Sequence, residues 1–533
     1  MVFAIKRLSL LTGIASVPRS LAAGLVAGVI ILPVAVQGAQ PGASPQLNNM
    51  RLVGFNDLQG RSTYQPIVHK QNGRYILYAG EHNGRHFNPL TGMDEPNGTS
   101  IVDVTVPSHP VYLHHIPADG GAVSGSGRGQ AQMVRACNGD DLPNGIPGRT
   151  YLLRANGNWS HQVWDVTDPS NPFKVSEPVS ELDGTHKSEW ECTTGIAYLV
   201  SGVTASTVVP SDPGGYGTWR DDRVTQVFDL SNPANPRFIR NFGLDGQQPD
   251  AVGPVPEGMH GCLSVQDKFP WRAAGGMQAP EGEEGRVYCG YGTRANGVVQ
   301  ILNREVLLDV SGMSDDDRKN AVDPAVLHAP VVSQVNTPVY MGAHTTLPVL
   351  DMEIPEFQSG GPNEIKTRDI IVVVNEAIAE ECNDRSRQMV YLADATEPVD
   401  VNGDPEPVHI WPVSNFNVPE SDGDFCTKGR RFGSHGSNES FTDVFYKKLV
   451  FVAWFNAGVR AIDIRDPWNP KQAAFFIPRT NENTMPANNG EIVIHTNNVD
   501  VDDRGFIYIV DRAGTGAHIL ELTGDAKKIA NLP

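Results

Sequence analysis

Five of the fifteen histidines stand in matching surroundings. His186 lies 10 residues before Ile196, His495 lies 11 before Phe506, and His435 lies 14 before Leu449, each ahead of an apolar run. His260 and His344 hold the same place ahead of longer polar insertions. Imidazole binds zinc, copper, iron and nickel, and three or four imidazoles with an open position make a reactive metal centre. Glu189 and Glu439 follow two of these histidines closely and are placed to accept the second ring N–H. The competing reading is five buried histidines satisfied by water and backbone.

What must bring five distant histidines together is a repeat. SIVDVTVPSHP, QVWDVTDPSNP, QVFDLSNPANP and RAIDIRDPWNP each alternate apolar residues into an Asp, with Pro four and seven positions later. The alternation predicts a half-buried strand, and Asp-Pro and Asn-Pro predict the turn that ends it. Weaker copies bring the marks to Asp103, Asp165, Asp229, Asn303, Asp394, Asp463 and Glu521, in steps of 62, 64, 74, 91, 69 and 58 residues. Units of this size, rich in short strands, read as the four-stranded blades of a β-propeller.

This pattern resembles the LVIVD-repeat proteins, a family of bacterial β-propellers, over nearly all of the chain after its N-terminal segment. The expected fold is all-β, a seven-bladed propeller over 51–533 closed by pairing Arg51–Gly54 with the last blade. In a propeller the innermost strand of each blade lines the central channel, so His186, His260, His344, His435 and His495 converge, with Tyr64 and Gln130 or Gln132 in the matching places of blades 1 and 2. An all-histidine centre on a propeller is similar in kind to those of carotenoid oxygenases and selenium-binding methanethiol oxidases, although no motif links this chain to either.

The start of each inner strand shares one face with the longest irregular segments: 80–98, 204–222, 376–387, 415–433, and a connector between blades 4 and 5 whose short helix is capped by Ser314. Arg85, Tyr216, Trp219 and Arg220 lie in these loops as candidate pocket residues. His82 and His86 are four apart, but Asn83-Gly84 argues for a solvated loop. Asp502 to Gly505 reads as a hairpin turn rather than a calcium loop. There is no G-x-S-x-G elbow, no H-E-x-x-H and no dinucleotide fingerprint.

Lys6, Arg7 and Arg19 precede an apolar run of 16 residues from Leu21 to Val36, which is too short and too interrupted by Pro33 to span a bilayer. Residues 1–38 therefore read as a signal peptide, 39–50 as a flexible linker, and the mature chain as periplasmic or secreted with no transmembrane segment. A formal net charge of -19 argues against a nucleic-acid partner. Six cysteines in an exported chain allow three disulfides in 15 connectivities. Blade layout favours Cys137 with Cys192, Cys262 with Cys289 and Cys382 with Cys426, while Cys262 near His260 leaves a mixed metal site open.

Two functions are then in competition. One is a His-ligated zinc, copper, iron or nickel centre acting on a small molecule by oxidative or hydrolytic chemistry. The other is a non-catalytic scaffold whose loops hold a peptide or glycan.

Overall fold

The computed structural model describes residues 45–123, 133–202, 217–266, 285–354, 367–383, 388–397 and 407–532. Seven antiparallel sheets follow one another in chain order, so the fold is an all-β, seven-bladed propeller. Blades 1 to 5 take their inner strands from Thr63–Gln71, Val134–Asn138, Gly184–Trp190, Met259–Ser264 and Thr345–Glu353. In blade 6 the inner segment is irregular. Residues 434–440 are tied to Leu449–Ala453 by His435 N to Ala453 O at 3.0 Å and Asn438 N to Phe451 O at 3.0 Å. Blade 7 begins its sheet at Thr496–Val501.

The second strands show why the blades stack. Thr150–Asn156, Ile196–Gly202, Arg286–Tyr291 and Leu449–Ala453 are buried along their whole length. A strand covered on both faces by neighbouring blades needs a continuous apolar run rather than an alternating one. Apolar clusters fill the spaces between adjacent blades all the way round, including Leu77 and Val102 of blade 1 against Tyr508 and Ile519 of blade 7.

Each repeat mark ends or nearly ends a third strand, and its side chain explains why it recurs. Asp103, Asp165, Asp229, Asp394 and Asp463 accept the backbone N–H two residues on, from Thr105, Thr167, Ser231, Thr396 and Arg465, at 2.8 to 3.1 Å. That bond makes an Asx-turn, which releases the chain from the third strand and starts it toward the fourth. Asn303 departs for a physical reason. It accepts from Val306 N at 3.1 Å and caps the helix Arg304–Leu308 instead. The connector capped by Ser314 follows, so it lies inside blade 4, before the fourth strand Val331–Asn336, and not between blades 4 and 5 as expected. In an up-and-down sheet the loop joining strands three and four leaves from the face opposite the inner-strand starts, and this connector runs back along the outside of blade 3, where Trp219 and Asn241 donate to Lys319 O.

Closure uses more of the N-terminal region than expected. Met50–Asn56 pairs with Ala517–Leu522 as the outer strand of blade 7, with Arg51 opposite Glu521. Gln46–Asn48 pairs with Lys471–Ile477 on the edge of blade 6, and Met50 is fully buried. The last residues of the expected linker 39–50 are thus strand, because two blades offer open edges to it. The expected signal peptide, 1–38, lies outside the described residues. Among the described residues no helix is long and apolar enough to cross a membrane.

The disulfides are Cys137–Cys192, Cys262–Cys289 and Cys382–Cys426, with Cα separations of 5.4, 4.1 and 5.3 Å. The middle pair is close because Cys262 and Cys289 stand directly opposite one another on adjacent strands. With its sulfur in that bond, Cys262 is not available as a metal ligand beside His260.

Candidate metal centre

The inner strands carry β-bulges at their entrances, and the bulges aim the site. The register slips between Thr63 and Gln65, between Thr185 and Ser188, and between Met259 and Gly261, leaving Tyr64, His186 and His260 at or within the irregularities. A bulge turns a side chain out of the strict in-out alternation of a strand. His344 immediately precedes Thr345–Glu353, with its N–H bonded to Val374 O at 2.9 Å. The result is a chain of rings: His186 to His260 at 4.1 Å, His260 to His344 at 3.9 Å, and His344 to His435 at 4.5 Å between centroids. Tyr64 closes the arc. Its hydroxyl lies 3.2 Å from His186 Nε2 and 3.4 Å from His435 Nε2.

Two overlapping triads of donor atoms result, each mutually within 4.8 Å. They are His186, His260 and His344, and His344, Glu376 and His435. Tetrahedral coordination at about 2.0–2.1 Å from nitrogen places donors ~3.4 Å apart. The carboxylate of Glu376 lies 3.7 Å from both His260 Nε2 and His435 Nε2. It follows the second strand of blade 5, Thr367–Val374, where the sequence reading marked only a long loop. No inner-strand pattern points to it, and its neighbours His260 and His435 come from other blades.

The protonation states suit metal binding. Burial, with nearby His260 and Arg223, holds His186 well below the usual imidazole range, and burial chiefly does the same to His260 and His344. Burial lowers His435 to about 4 despite the opposing pull of Glu376. Nδ1 of His435 donates to Asn497 O at 2.6 Å, which leaves the Nε2 lone pair facing the cluster. His344 Nδ1 lies 3.0 Å from the Thr345 hydroxyl, while its Nε2 is buried with no partner among the described residues. Glu376 is held below the usual carboxylate range by His435 and Arg431 against the effect of burial, and burial keeps the Tyr64 phenol protonated far above neutral pH.

His495 is not part of either triad. In blade 7 the register slips between Thr496 and Asn498, so Asn497 takes the bulge, two residues past the histidine. Its amide donates to Tyr64 O at 2.9 Å. Phe455, at a positive φ of 42°, stands between His435 and His495 with ring centroids 4.8 and 4.6 Å away.

Glu189 and Glu439 are engaged by buried cations. Further along the same inner strands, Arg135 bridges them, with Nε 3.0 Å from Glu189 and Nη2 on Glu439. Lys187 also pairs with Glu439 and donates to Thr345 Oγ1 at 2.7 Å. These two carboxylates prefer the buried cations beside them to the imidazole N–H groups, because buried charges are stable only when paired.

Among the loop candidates, Trp219 is 1% exposed and donates its indole N–H to Lys319 O at 2.8 Å, so it packs rather than lines a mouth. Arg220 braces its own face through Gly246 O and Gly253 O. Arg85 pairs with Asp94 at 2.9 Å on an exposed hairpin, Arg85–Asn88 with Met93–Pro96, where an irregular loop was expected. Tyr216, Gln130 and Gln132 lie outside the described residues. His82, read from sequence as solvated, packs edge-on to Tyr64 at 4.6 Å. A separate cavity of about 810 Å³, lined in part by Leu244, Pro254, Leu327, His328 and Val339, shares no residue with the histidine cluster.

A scan against protein-family models matches none, and a search of curated proteins finds no match.

Proposed function

We propose that this chain is an exported, LVIVD-type propeller whose His186, His260, His344 and His435, with Glu376 as an oxygen donor, hold a zinc, copper, iron or nickel ion, and that the site acts on a small molecule by oxidative or metal-assisted hydrolytic chemistry. The recurring Asp-Pro turns support the family resemblance, and three disulfides support an oxidising compartment.

The observation that carries the metal reading is His344. Its ring is fully buried, it belongs to both triads, and its Nε2 has no partner among the described residues. A buried polar atom left unsatisfied costs about 1–3 kcal/mol. A metal–nitrogen bond removes that cost. When bound, the ion would act as a Lewis acid or exchange electrons with the substrate. Around it, the protonated Tyr64 hydroxyl can donate a hydrogen bond to a substrate oxygen, and the ionised Glu376 can accept a proton. The backbone carbonyl of Asn497 fixes the tautomer of His435.

Elemental analysis of the purified protein, followed by calorimetric titration with each of the four metals, tests this reading. Stoichiometric metal in the wild type and its loss in His344→Ala are expected. A wild type that neither carries nor takes up metal overturns it. One observation favours the scaffold reading instead. The Tyr64 hydroxyl reaches both His186 and His435 and can satisfy those rings without an ion. A metal-free wild type would leave that reading in place.

A further inference from the structure

The cluster is flanked by guanidinium groups that metal ligation does not use. Arg431 donates to Glu376 Oε1 at 2.9 Å and lies 5.6 Å from the Phe455 ring. Arg512 lies 5.6 Å from the Tyr64 ring and donates from Nε to His82 Nε2 at 2.7 Å, with Nη2 reaching the same nitrogen. The His82 nitrogen that accepts from Arg512 carries no proton, so His82 fixes the position of the guanidinium without cancelling its charge. The neighbouring Asp511 makes no ion pair with it among the described residues. Its oxygens accept from the backbone N–H groups of His495 at 2.6 Å and Ala513 at 2.8 Å.

Arg223 completes the set. Its carbonyl accepts from Met259 N at 2.7 Å, which places it beside His260, and its positive charge acts on His186, His260, Tyr64 and Glu376. Among the described residues, no carboxylate lies within ion-pair distance of Arg223 or Arg512. Arg223, Arg431 and Arg512 thus share the mouth with Glu376, which Arg431 holds at 2.9 Å, and Arg223 also lies near the Asp221 carboxylate. This cationic patch occurs in a chain of formal net charge -19. An uncompensated guanidinium in a partly desolvated site is stabilised when an oxyanion meets its fork of N–H donors.

We infer that Arg512, assisted by Arg223 and Arg431, seats the acidic group of a small organic anion, a carboxylate or phosphate, over the histidine cluster. The inference rests on the preceding reading only in calling that anion the substrate; the seat itself is a property of the arginines.

Calorimetric titration of the full chain, freed of metal by EDTA and dialysis, with benzoate and separately with inorganic phosphate tests the seat. Wild type should bind at least one of the two, and which one it binds distinguishes carboxylate from phosphate. Arg512→Gln should weaken that binding by about tenfold or more, and Arg512→Lys, which keeps charge without the planar fork, should fall between. Arg223→Gln, removing a group that makes no ion pair among the described residues, should also weaken binding and serves if the Arg512 variants do not fold. Failure of wild type to bind either probe, or unchanged binding in the folded variants, overturns the seat. Titration of the same samples with zinc, copper, iron and nickel separates the two readings. Metal uptake without anion binding rejects only the seat, and anion binding without uptake of any of the four metals rejects only the metal centre.

Discussion

Two polar layers occupy neighbouring positions along the inner strands, and they are built on opposite principles. In one, Arg135, Lys187, Glu189 and Glu439 form a buried network in which cations and carboxylates are paired. In the other, His186, His260, His344 and His435 are held neutral, and His344 Nε2 has no partner among the described residues. The layers are only residues apart: Lys187 follows His186, Thr345 follows His344, and Glu439 is four beyond His435. A network of paired charges specifies geometry and has little charge left to offer a ligand. A ring of lone pairs without protons keeps its binding capacity. The difference separates a structural layer from a binding layer more clearly than burial does, since both are buried.

Breaking the paired layer should have the largest effect on stability. Glu439→Ala leaves Arg135 and Lys187 facing one another without their shared carboxylate, and should cost about 3–5 kcal/mol in chemical denaturation. Breaking the other layer should do the reverse. His344→Ala should leave folding nearly intact and reduce zinc affinity by more than the ~10–100-fold typical of outer-shell changes, as read by calorimetry.

Acid should weaken the fold in two successive windows. His435 and His518 have folded values lowered to about 4 and about 3 by burial, from an ordinary value of 6.5. The unfolded chain therefore binds their protons first, and the stability they contribute above pH 6.5 is lost as pH falls toward those values. Glu439, lowered to about 2 by Lys187 and Arg135 against burial, contributes stability above its ordinary 4.5 that is lost between there and about 2. Denaturant midpoints measured across this range should fall first in the histidine window. In Glu439→Ala the lower window should shrink, whereas a single transition unchanged by that substitution would contradict the assignment.

The smallest effect is expected at His495. His495→Ala should leave metal uptake unchanged, because Phe455 stands between this ring and His435. A clear loss of affinity would show that the two are coupled across Phe455.

The sequence by itself determined what local rules control. Alternation marked the strands, and Asp with Pro four and seven residues later marked the turns, because an Asx-turn needs only the Asp and the next two residues. The blade order followed from those marks; the cysteine pairs were one choice among 15 suggested by blade layout, and the structure forms all three, although Cys382–Cys426 joins two loops that the repeat does not relate. Four of the five axial histidines were legible for the same reason. The tertiary structure alone decided the rest. Whether a histidine faces the axis depends on which residue takes the bulge, and in blade 7 that is Asn497, a one-register matter that side-chain spacing does not record. Glu376, Arg223, Arg431 and Arg512 come to the cluster from loops or strand ends on different blades, where no period relates them. The roles of Glu189 and Glu439 were set by competition between imidazole N–H groups and buried cations, and that contest is settled only when Arg135 and Lys187 arrive in the same layer.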